Sequence, residues 1–231
     1  MPLSRADGSV PSRAEKGKAR AVLNRLRRRY PSIGTALDYR SPFQLLVVTV
    51  LSAQTTDENV NKVAPVLFQR YPGVSDLAEA NPEDVEKIVY STGFYRQKTK
   101  SIIKLAQGIE ELFDGEVPME IDELVRLPGV GRKTASVLLA EAWGVPAIAV
   151  DTHVRRVTRR LGLTTQSDPA KIEKDLMALF PESTWSGVSM RVIQFGRDVC
   201  DARRPLCGQC ELFGLCEFPD RFFFAGKTPR R

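Results

Sequence analysis

The chain has 231 residues, enough to bury a sizeable core as one large domain or two small ones. Hydrophobic residues make up 42% and charged residues 27%, which is ordinary for a soluble globular protein. No apolar run reaches the length of a membrane span, and Met1–Arg20 is polar and basic, without the apolar core of a secretory signal. A cytoplasmic protein with no membrane association is therefore expected.

The net charge of +6 favours a polyanionic partner, although a solubilising surface would give the same balance. The basic residues concentrate in two segments. One holds Arg13, Lys16, Lys18, Arg20, Arg25, Arg27, Arg28 and Arg29, and the other holds Arg155, Arg156, Arg159 and Arg160.

The chain is predicted to be nearly all helix. A first helix runs to about Tyr30, because Ser12 with Glu15 three residues later forms a capping box. A second helix begins at Ser41-Pro42, with Gln44 as the box partner.

The second helix is apolar almost all round, from Phe43 to Leu51, so it is predicted to be central and buried. Its β-branched residues would also suit a strand, but the strong start signal favours a helix. A third helix, from Asp57 to about Tyr71, contains Pro65, and another begins at Asn81-Pro82.

Hydrophobic periodicity predicts the remaining helices over Phe94–Phe113, Ile121–Leu127, Arg132–Trp143, Asp151–Leu161, Pro169–Phe180 and Ser183–Val199. The termini, residues 1–13 and 225–231, are expected to be loosely held. The aromatic run Phe222–Phe224 is expected to pack on the body of the protein.

The segment Leu127–Ala135 reads Leu-Pro-Gly-Val-Gly-Arg-Lys-Thr-Ala and lies between two helical patterns. Gly129 and Gly131 allow a tight turn and close approach of another molecule, and the following helix begins with free N–H groups that suit a phosphate. A simple connection between two helices would carry the same glycines, so the turn alone does not establish a binding site.

The four cysteines follow the pattern Cys-x6-Cys-x2-Cys-x5-Cys: Cys200, Cys207, Cys210 and Cys216. A tight cluster in a cytosolic chain indicates a metal site rather than a disulfide framework. Four thiolates suit either zinc or an iron–sulfur cluster, and the spacing alone leaves the metal open.

Taken together, these segments resemble the helix-hairpin-helix glycosylase superfamily. The hairpin is followed by Val150–Val154, and Ser52–Asp57 and Ser91–Tyr95 also look like family segments. The interval from Lys133 to Asp151 and the cysteine pattern are similar to the endonuclease III branch. The similarity extends from about Arg20 to Cys216.

The resemblance implies an all-α fold of two helical lobes with a DNA-binding groove between them. Residues 35–146 would form a six-helix barrel lobe with the helix-hairpin-helix at 127–143, and residues 14–34 with 147–224 would form a cluster lobe. It also implies a [4Fe–4S] cluster on the four cysteines. The partner would be double-stranded DNA with a damaged base or an abasic site, bound by a nucleoid-associated monomer.

By the same resemblance, Lys133 would be the nucleophile that expels an oxidised pyrimidine and forms a Schiff base, after which the strand is cut by β-elimination. Only a neutral amine attacks, and a free lysine is almost wholly protonated near neutral pH. Burial, the helix N-terminus and Arg132 are expected to favour the neutral amine. Without the resemblance, a phosphate-binding lysine would be the simpler interpretation.

Asp151 opens a helix, where an aspartate is most often only an N-cap. The resemblance adds a catalytic role, in which the carboxylate stabilises positive charge on the sugar or accepts a proton. His153 is the only histidine, so catalysis by a histidine pair is excluded, and a structural or phosphate-binding role is favoured.

A flipped base leaves a gap that the protein must fill. The resemblance places Gln54 and Phe94 in that role, although Phe94 would equally suit core packing near a turn. The hairpin residues Gly129, Val130, Gly131 and Arg132, together with Arg203 and Arg204, are expected to contact phosphates.

Two alternatives compete with this interpretation. A relative that removes adenine opposite a damaged purine usually lacks a lysine at the position of Lys133 and carries a further C-terminal domain. A DNA-binding or damage-sensing protein without activity would not need both Lys133 and Asp151.

Overall fold

The computed structural model describes residues 3–226, and every regular element in that range is helical, as predicted. The α-helices are α1 Arg13–Arg29, α2 Pro42–Leu51, α3 Asp57–Arg70, α4 Val74–Ala78, α5 Pro82–Val89, α6 Tyr95–Phe113, α7 Ile121–Leu124, α8 Arg132–Trp143, α9 Thr152–Arg160, α10 Pro169–Leu179, α11 Trp185–Asp198 and α12 Arg221–Ala225. Short 3₁₀ turns cover Tyr90–Thr92, Glu182–Thr184, Cys207–Gln209 and Phe213–Leu215.

The predicted helix starts depend on local capping, and most are confirmed. At α1 the Glu15 N–H donates to Ser12 Oγ at 3.2 Å, and the Ser12 N–H donates to Glu15 Oε2 at 2.8 Å. At α2 Ser41 Oγ accepts from the Gln44 N–H at 3.2 Å. The prediction that Gln44 completes the α2 capping box is wrong. Gln44 Oε1 accepts from the N–H of Arg40, the residue before the N-cap Ser41.

The structure differs from the predicted elements where a helix is short. The helix α4 was not predicted, since five residues are too few to show periodicity, and its start depends on a Gly73 N–H that donates to Asp76 Oδ2 at 2.8 Å. The helix α7 ends at Leu124, before the predicted Leu127, because 3₁₀-type bonds tighten the chain ahead of Pro128.

The chain divides into two compact units, each with its own hydrophobic core. One unit comprises Thr35–Val145, and the other comprises the described residues up to Gly34 and from Pro146 onward. In the Thr35–Val145 unit, α2 is central as predicted, and its buried residues are Phe43, Leu45, Leu46, Val47, Val48 and Leu51.

The second unit is built from α1 and the helices after Pro146. Its core includes Leu26, Val154, Val157, Leu176, Val192 and Phe195. The segment before α1 contacts this body, because the Ala6 N–H donates to Asp175 Oδ1 at 2.9 Å and Arg5 pairs with Glu15 at 2.9 Å.

The C-terminal helix α12 carries the aromatic run. Phe222 meets Phe213 edge to face at 5.2 Å between ring centroids, and Phe224 stacks on Phe218 at 6.1 Å. Residues 1–2 and 227–231, on which part of the expectation for the termini falls, lie outside the described residues. Over residues 3–226, no helix is both long and apolar enough to cross a membrane.

Candidate functional site

The hairpin between α7 and α8 has the tight turn that its glycines predict. Gly129 adopts φ +80°, which favours glycine, and Gly129 and Gly131 are exposed. Gly108 of α6 lies under the hairpin, where an added Cβ would come within 2.5 Å of Pro128. Gly131, the N-cap residue of α8, has no side chain that could accept a hydrogen bond from the N–H groups of the first turn.

The predicted phosphate contact of Val130 is corrected by the structure. The N–H of Val130 donates to Leu127 O at 3.1 Å and its side chain is buried, so both hold the hairpin together. The amides available to an anion are therefore those on either side of it, at Gly129 and Gly131.

Lys133 is the second residue of α8, and its side chain is exposed. The expected burial of this lysine is wrong, since Arg132 and Lys133, the first two residues of α8, are both exposed. The amine therefore lies at the N-terminus of α8, open to a bound molecule.

Asp151 and His153 form a compact polar group at the start of α9. Asp151 Oδ1 accepts from the Val154 N–H at 2.8 Å, so the predicted N-cap is present. Asp151 Oδ2 lies 3.1 Å from His153 Nδ1, and the Asp151 side chain is only 15% exposed. The carboxylate is thus held in one orientation from both of its oxygens.

Gln54 and Phe94 share an unusual backbone conformation. Their φ angles are +57° and +47°, and Asp114 is the only other non-glycine residue with positive φ among residues 3–226. A left-handed conformation costs a residue with a side chain about 1–2 kcal/mol, and such strain concentrates at functional sites. Both side chains are exposed, Phe94 to 69%, so core packing is not the role of Phe94.

The four cysteines line one pocket. Its other walls are mostly apolar, from Val157, Leu161, Phe195, Val199, Leu206, Phe213 and Phe218. Burial raises the pKa of the Cys207 and Cys216 thiols and raises that of Cys210 to about 12. Since thiolates are the ligands of iron–sulfur clusters, bound iron would stabilise the thiolate forms that burial disfavours. Four thiols around one apolar pocket fit such a cluster.

Arg160 holds this pocket, a role that the sequence analysis missed. Its guanidinium donates to Asp201 O at 2.7 Å and to Ala202 O at 3.0 Å, lies 3.3 Å from Cys200 Sγ, and stacks on the Phe218 ring at 4.3 Å. Arg156, one turn earlier on α9, donates to Cys200 O at 3.0 Å and to Gly196 O at 2.9 Å. The i, i+4 spacing of the two arginines was the available signal.

Arg203 and Arg204 are exposed on the loop after Cys200, as expected. Their backbone N–H groups donate to Asp201 Oδ1 at 2.8 and 2.7 Å, so the loop is folded around that carboxylate. The N–H groups of Arg204 and Arg203 lower the pKa of Asp201. The backbone is fixed while both guanidinium groups point to solvent.

Each unit therefore carries part of the predicted site. The Thr35–Val145 unit holds the hairpin, Lys133, Gln54 and Phe94, and the other unit holds Asp151, His153, the cysteines and the Arg203–Arg204 loop.

Family comparison assigns these features to one class of protein. The model of the HhH-GPD superfamily base excision DNA repair protein matches residues 47–182, more than half of the chain. The iron–sulfur binding domain of endonuclease III matches residues 200–216, which span the four cysteines. The chain is therefore a base excision DNA repair protein of the helix-hairpin-helix superfamily with an iron–sulfur cluster.

Individual relatives define the branch. The chain is 52% identical to endonuclease III of Synechocystis sp. (strain ATCC 27184 / PCC 6803 / Kazusa), covering 88% of this chain and 93% of the relative. It is 47% identical to endonuclease III of Bacillus subtilis (strain 168), over 81% and 86% of the two chains. For endonuclease III of Escherichia coli (strain K12) the identity is 38%, over 89% and 98%.

A solved structure described as a non-covalent endonuclease III–DNA complex superposes with a TM-score of 0.80 at 44% identity, covering 87% of this chain and 95% of that one. A trapped endonuclease III–DNA covalent intermediate gives the same values. The chain belongs to the endonuclease III family, and it is a DNA glycosylase with AP lyase activity.

Proposed function

We propose that this enzyme excises oxidised pyrimidines from duplex DNA through a Schiff base on Lys133 and then cuts the strand by β-elimination. The observation that carries the proposal is the exposed Lys133 amine in the uncapped first turn of α8. The trapped covalent intermediate of a relative with 44% identity supports a covalent step. Incubation with a thymine glycol duplex and borohydride tests it, because borohydride reduces the imine to a stable adduct.

In the proposed mechanism, the neutral Lys133 amine attacks C1′ of the damaged nucleotide, and the C1′–N bond breaks with its electron pair leaving on the base. Opening of the sugar ring gives an imine between Nζ and C1′. Loss of a C2′ proton then expels the 3′ phosphate, and water finally releases the lysine. Because Lys133 is exposed in the free protein, its amine is open to the bound nucleotide.

Asp151 is proposed to stabilise the positive charge that develops on the sugar as the base leaves, and to accept the proton from the attacking amine. Its two bonds, to the Val154 N–H and His153, orient the carboxylate for this task. His153 is proposed to position Asp151 and to contact a phosphate.

Asp151→Asn is expected to separate the capping role from the catalytic role. Asparagine caps helices about as well as aspartate, so the melting temperature should change by no more than about 2 °C. Base excision should fall by at least about 100-fold, because the negative charge is lost. Single-turnover kinetics and thermal denaturation measure the two effects, with Asp168→Asn, the matching N-cap of α10, as the control. Retention of full activity would reduce Asp151 to a cap.

The proposed DNA contacts come from both units. The Gly129 and Gly131 amides, Arg132 and the N-terminus of α8 would bind phosphate, as would Arg203 and Arg204 of the other unit. These contacts fix the position of the duplex and carry no sequence information. Since one chain carries all of these contacts, the enzyme would act as a monomer at the nucleoid.

Arg204→Ala is expected to weaken binding to damaged and to undamaged duplexes to the same degree. Each neutralised phosphate releases counterions, so the slope of log affinity against log salt should become flatter by about one unit. Binding titrations over a range of salt concentrations measure this, with Arg197→Ala on α11 as a control of equal charge change. A changed lesion preference with an unchanged salt slope would contradict the assignment.

Gln54 and Phe94 are proposed to fill the gap left by the flipped nucleotide. Their exposed side chains on strained turns support this role. Cys200, Cys207, Cys210 and Cys216 are proposed to hold the [4Fe–4S] cluster, which supplies a fixed centre for the loop that carries Arg203 and Arg204. The relatives compared above are endonucleases III, which favours this function over removal of adenine opposite a damaged purine.

A further inference from the structure

The two strained turns, that of Gln54 and that of Phe94, are joined by one side chain. Asn59, in the first turn of α3, donates from Nδ2 to Thr55 Oγ1 at 3.2 Å and to the backbone O of Ser91 at 2.7 Å. Its Oδ1 accepts from Ser91 Oγ at 3.3 Å. Thr55 directly follows Gln54, and Ser91 lies three residues before Phe94, so Asn59 connects the two turns through hydrogen bonds at both ends.

The orientation of the Asn59 amide is determined by its partners. A backbone carbonyl can only accept, so the atom 2.7 Å from Ser91 O must be the nitrogen. Thr55 Oγ1 and Ser91 Oγ can each donate or accept, and they take the complementary roles. One small side chain thus makes three hydrogen bonds that no apolar residue of similar size could replace.

The turn of Phe94 is held independently from the interior. The Lys98 side chain is 5% exposed, its Nζ donates to Thr92 O at 2.6 Å, and Thr92 Oγ1 donates to Val89 O at 2.7 Å. The Phe94 turn is therefore anchored to α6 and to the 3₁₀ turn before it. The Asn59 side chain then ties the Gln54 turn to this anchored segment.

We infer that Asn59 is a positioning residue that fixes the separation of Gln54 and Phe94, so that both side chains enter the duplex together when a damaged nucleotide leaves the stack. The inference rests on the proposed gap-filling roles of these two residues. A strained conformation persists only where its surroundings hold it. Two exposed turns held at one spacing lose less conformational freedom on entering DNA than two independent loops.

Asn59→Leu in a Lys133→Gln background tests the inference. The Lys133→Gln substitution stops base excision, so the movement of the damaged nucleotide out of the stack can be measured by itself. The probe is a thymine glycol duplex with 2-aminopurine opposite the lesion, whose fluorescence rises when that base loses its stacking. We expect the equilibrium for unstacking to fall by about 10-fold, because the three hydrogen bonds of the Asn59 side chain are lost. Affinity for undamaged duplex should stay within about twofold, because the phosphate contacts are untouched.

Thr55→Val provides a second variant that keeps the shape of the side chain and removes only the acceptor on the Gln54 side, which keeps the inference testable if Asn59→Leu does not fold. We expect the equilibrium for unstacking to fall about fivefold in Thr55→Val alone. Adding Thr55→Val to Asn59→Leu should lower it almost no further, because the same bond is then already absent. Ser91→Ala is the matched control. It removes only the long, exposed 3.3 Å bond from Ser91 Oγ to Asn59 Oδ1 and keeps the 2.7 Å bond that joins the two turns, so it should behave almost as the parent.

Gln54→Ala in the same background separates the inference from the function on which it rests. If Gln54→Ala lowers the fluorescence change and Asn59→Leu and Thr55→Val do not, the positioning role is overturned and the gap-filling assignment stands. If Gln54→Ala has no effect, the gap-filling assignment fails and the inference falls with it. Fully additive effects of Thr55→Val and Asn59→Leu would also overturn the coupling.

Discussion

Replacing Lys133 with glutamine is expected to abolish borohydride trapping and to lower strand cleavage to background, a loss of at least about 10³-fold. Glutamine has no amine to form the imine, so the covalent route is closed. Binding to damaged duplex should change by less than about fivefold, because it is distributed over many phosphate contacts. Gel analysis of the trapped adduct and a binding titration on the same preparation measure the two quantities.

The matched control is Lys104→Gln, which removes another exposed lysine, from α6 of the same unit. This variant should trap and cleave like the parent. A trapped adduct of full strength in Lys133→Gln would show that another amine is the nucleophile. Loss of binding together with trapping would instead make Lys133 a phosphate contact.

Removing one cluster ligand is expected to have the second large effect. Cys207→Ser should lose iron and the brown colour of the cluster, and the melting temperature should fall by about 10 °C or more, because metal-binding free energy is folding free energy in such sites. The loop of residues 200–216 should then become sensitive to proteases. Iron analysis, thermal denaturation and limited proteolysis measure these changes.

Gln209→Ser lies in the same 3₁₀ turn, Cys207–Gln209, and is exposed, so it changes the turn without touching a thiol. It should keep its iron, its colour and its melting temperature. One zinc ion and no iron in the natively produced parent protein would contradict the assignment of the pocket. Iron content unchanged in Cys207→Ser would remove that cysteine from the ligand set.

The helical class, most helix starts and the residue types of the site could be predicted from the sequence, because these depend on interactions within a few residues along the chain. The capping box of Ser12 and Glu15, the N-cap of Asp151 and the glycine at φ +80° in the hairpin are of this kind. The cysteine cluster was also visible, since all four thiols lie within 17 residues, 200–216. Short helices such as α4 escaped prediction because five residues carry too little periodicity.

Which polar groups bond within the protein and which face outward could not be predicted, because this depends on how distant segments pack. Arg156 and Arg160 look like the other basic residues of α9 in the sequence, yet they turn inward because the carbonyls of Gly196, Cys200, Asp201 and Ala202 pack against that face. The Val130 N–H closes its own hairpin, whereas the Lys133 side chain is exposed, against expectation. Asn59 joins Thr55 to Ser91, 36 residues apart in number, and no local pattern encodes that meeting. Whether a polar group finds a partner depends on which distant segment packs beside it, and folding alone settles that.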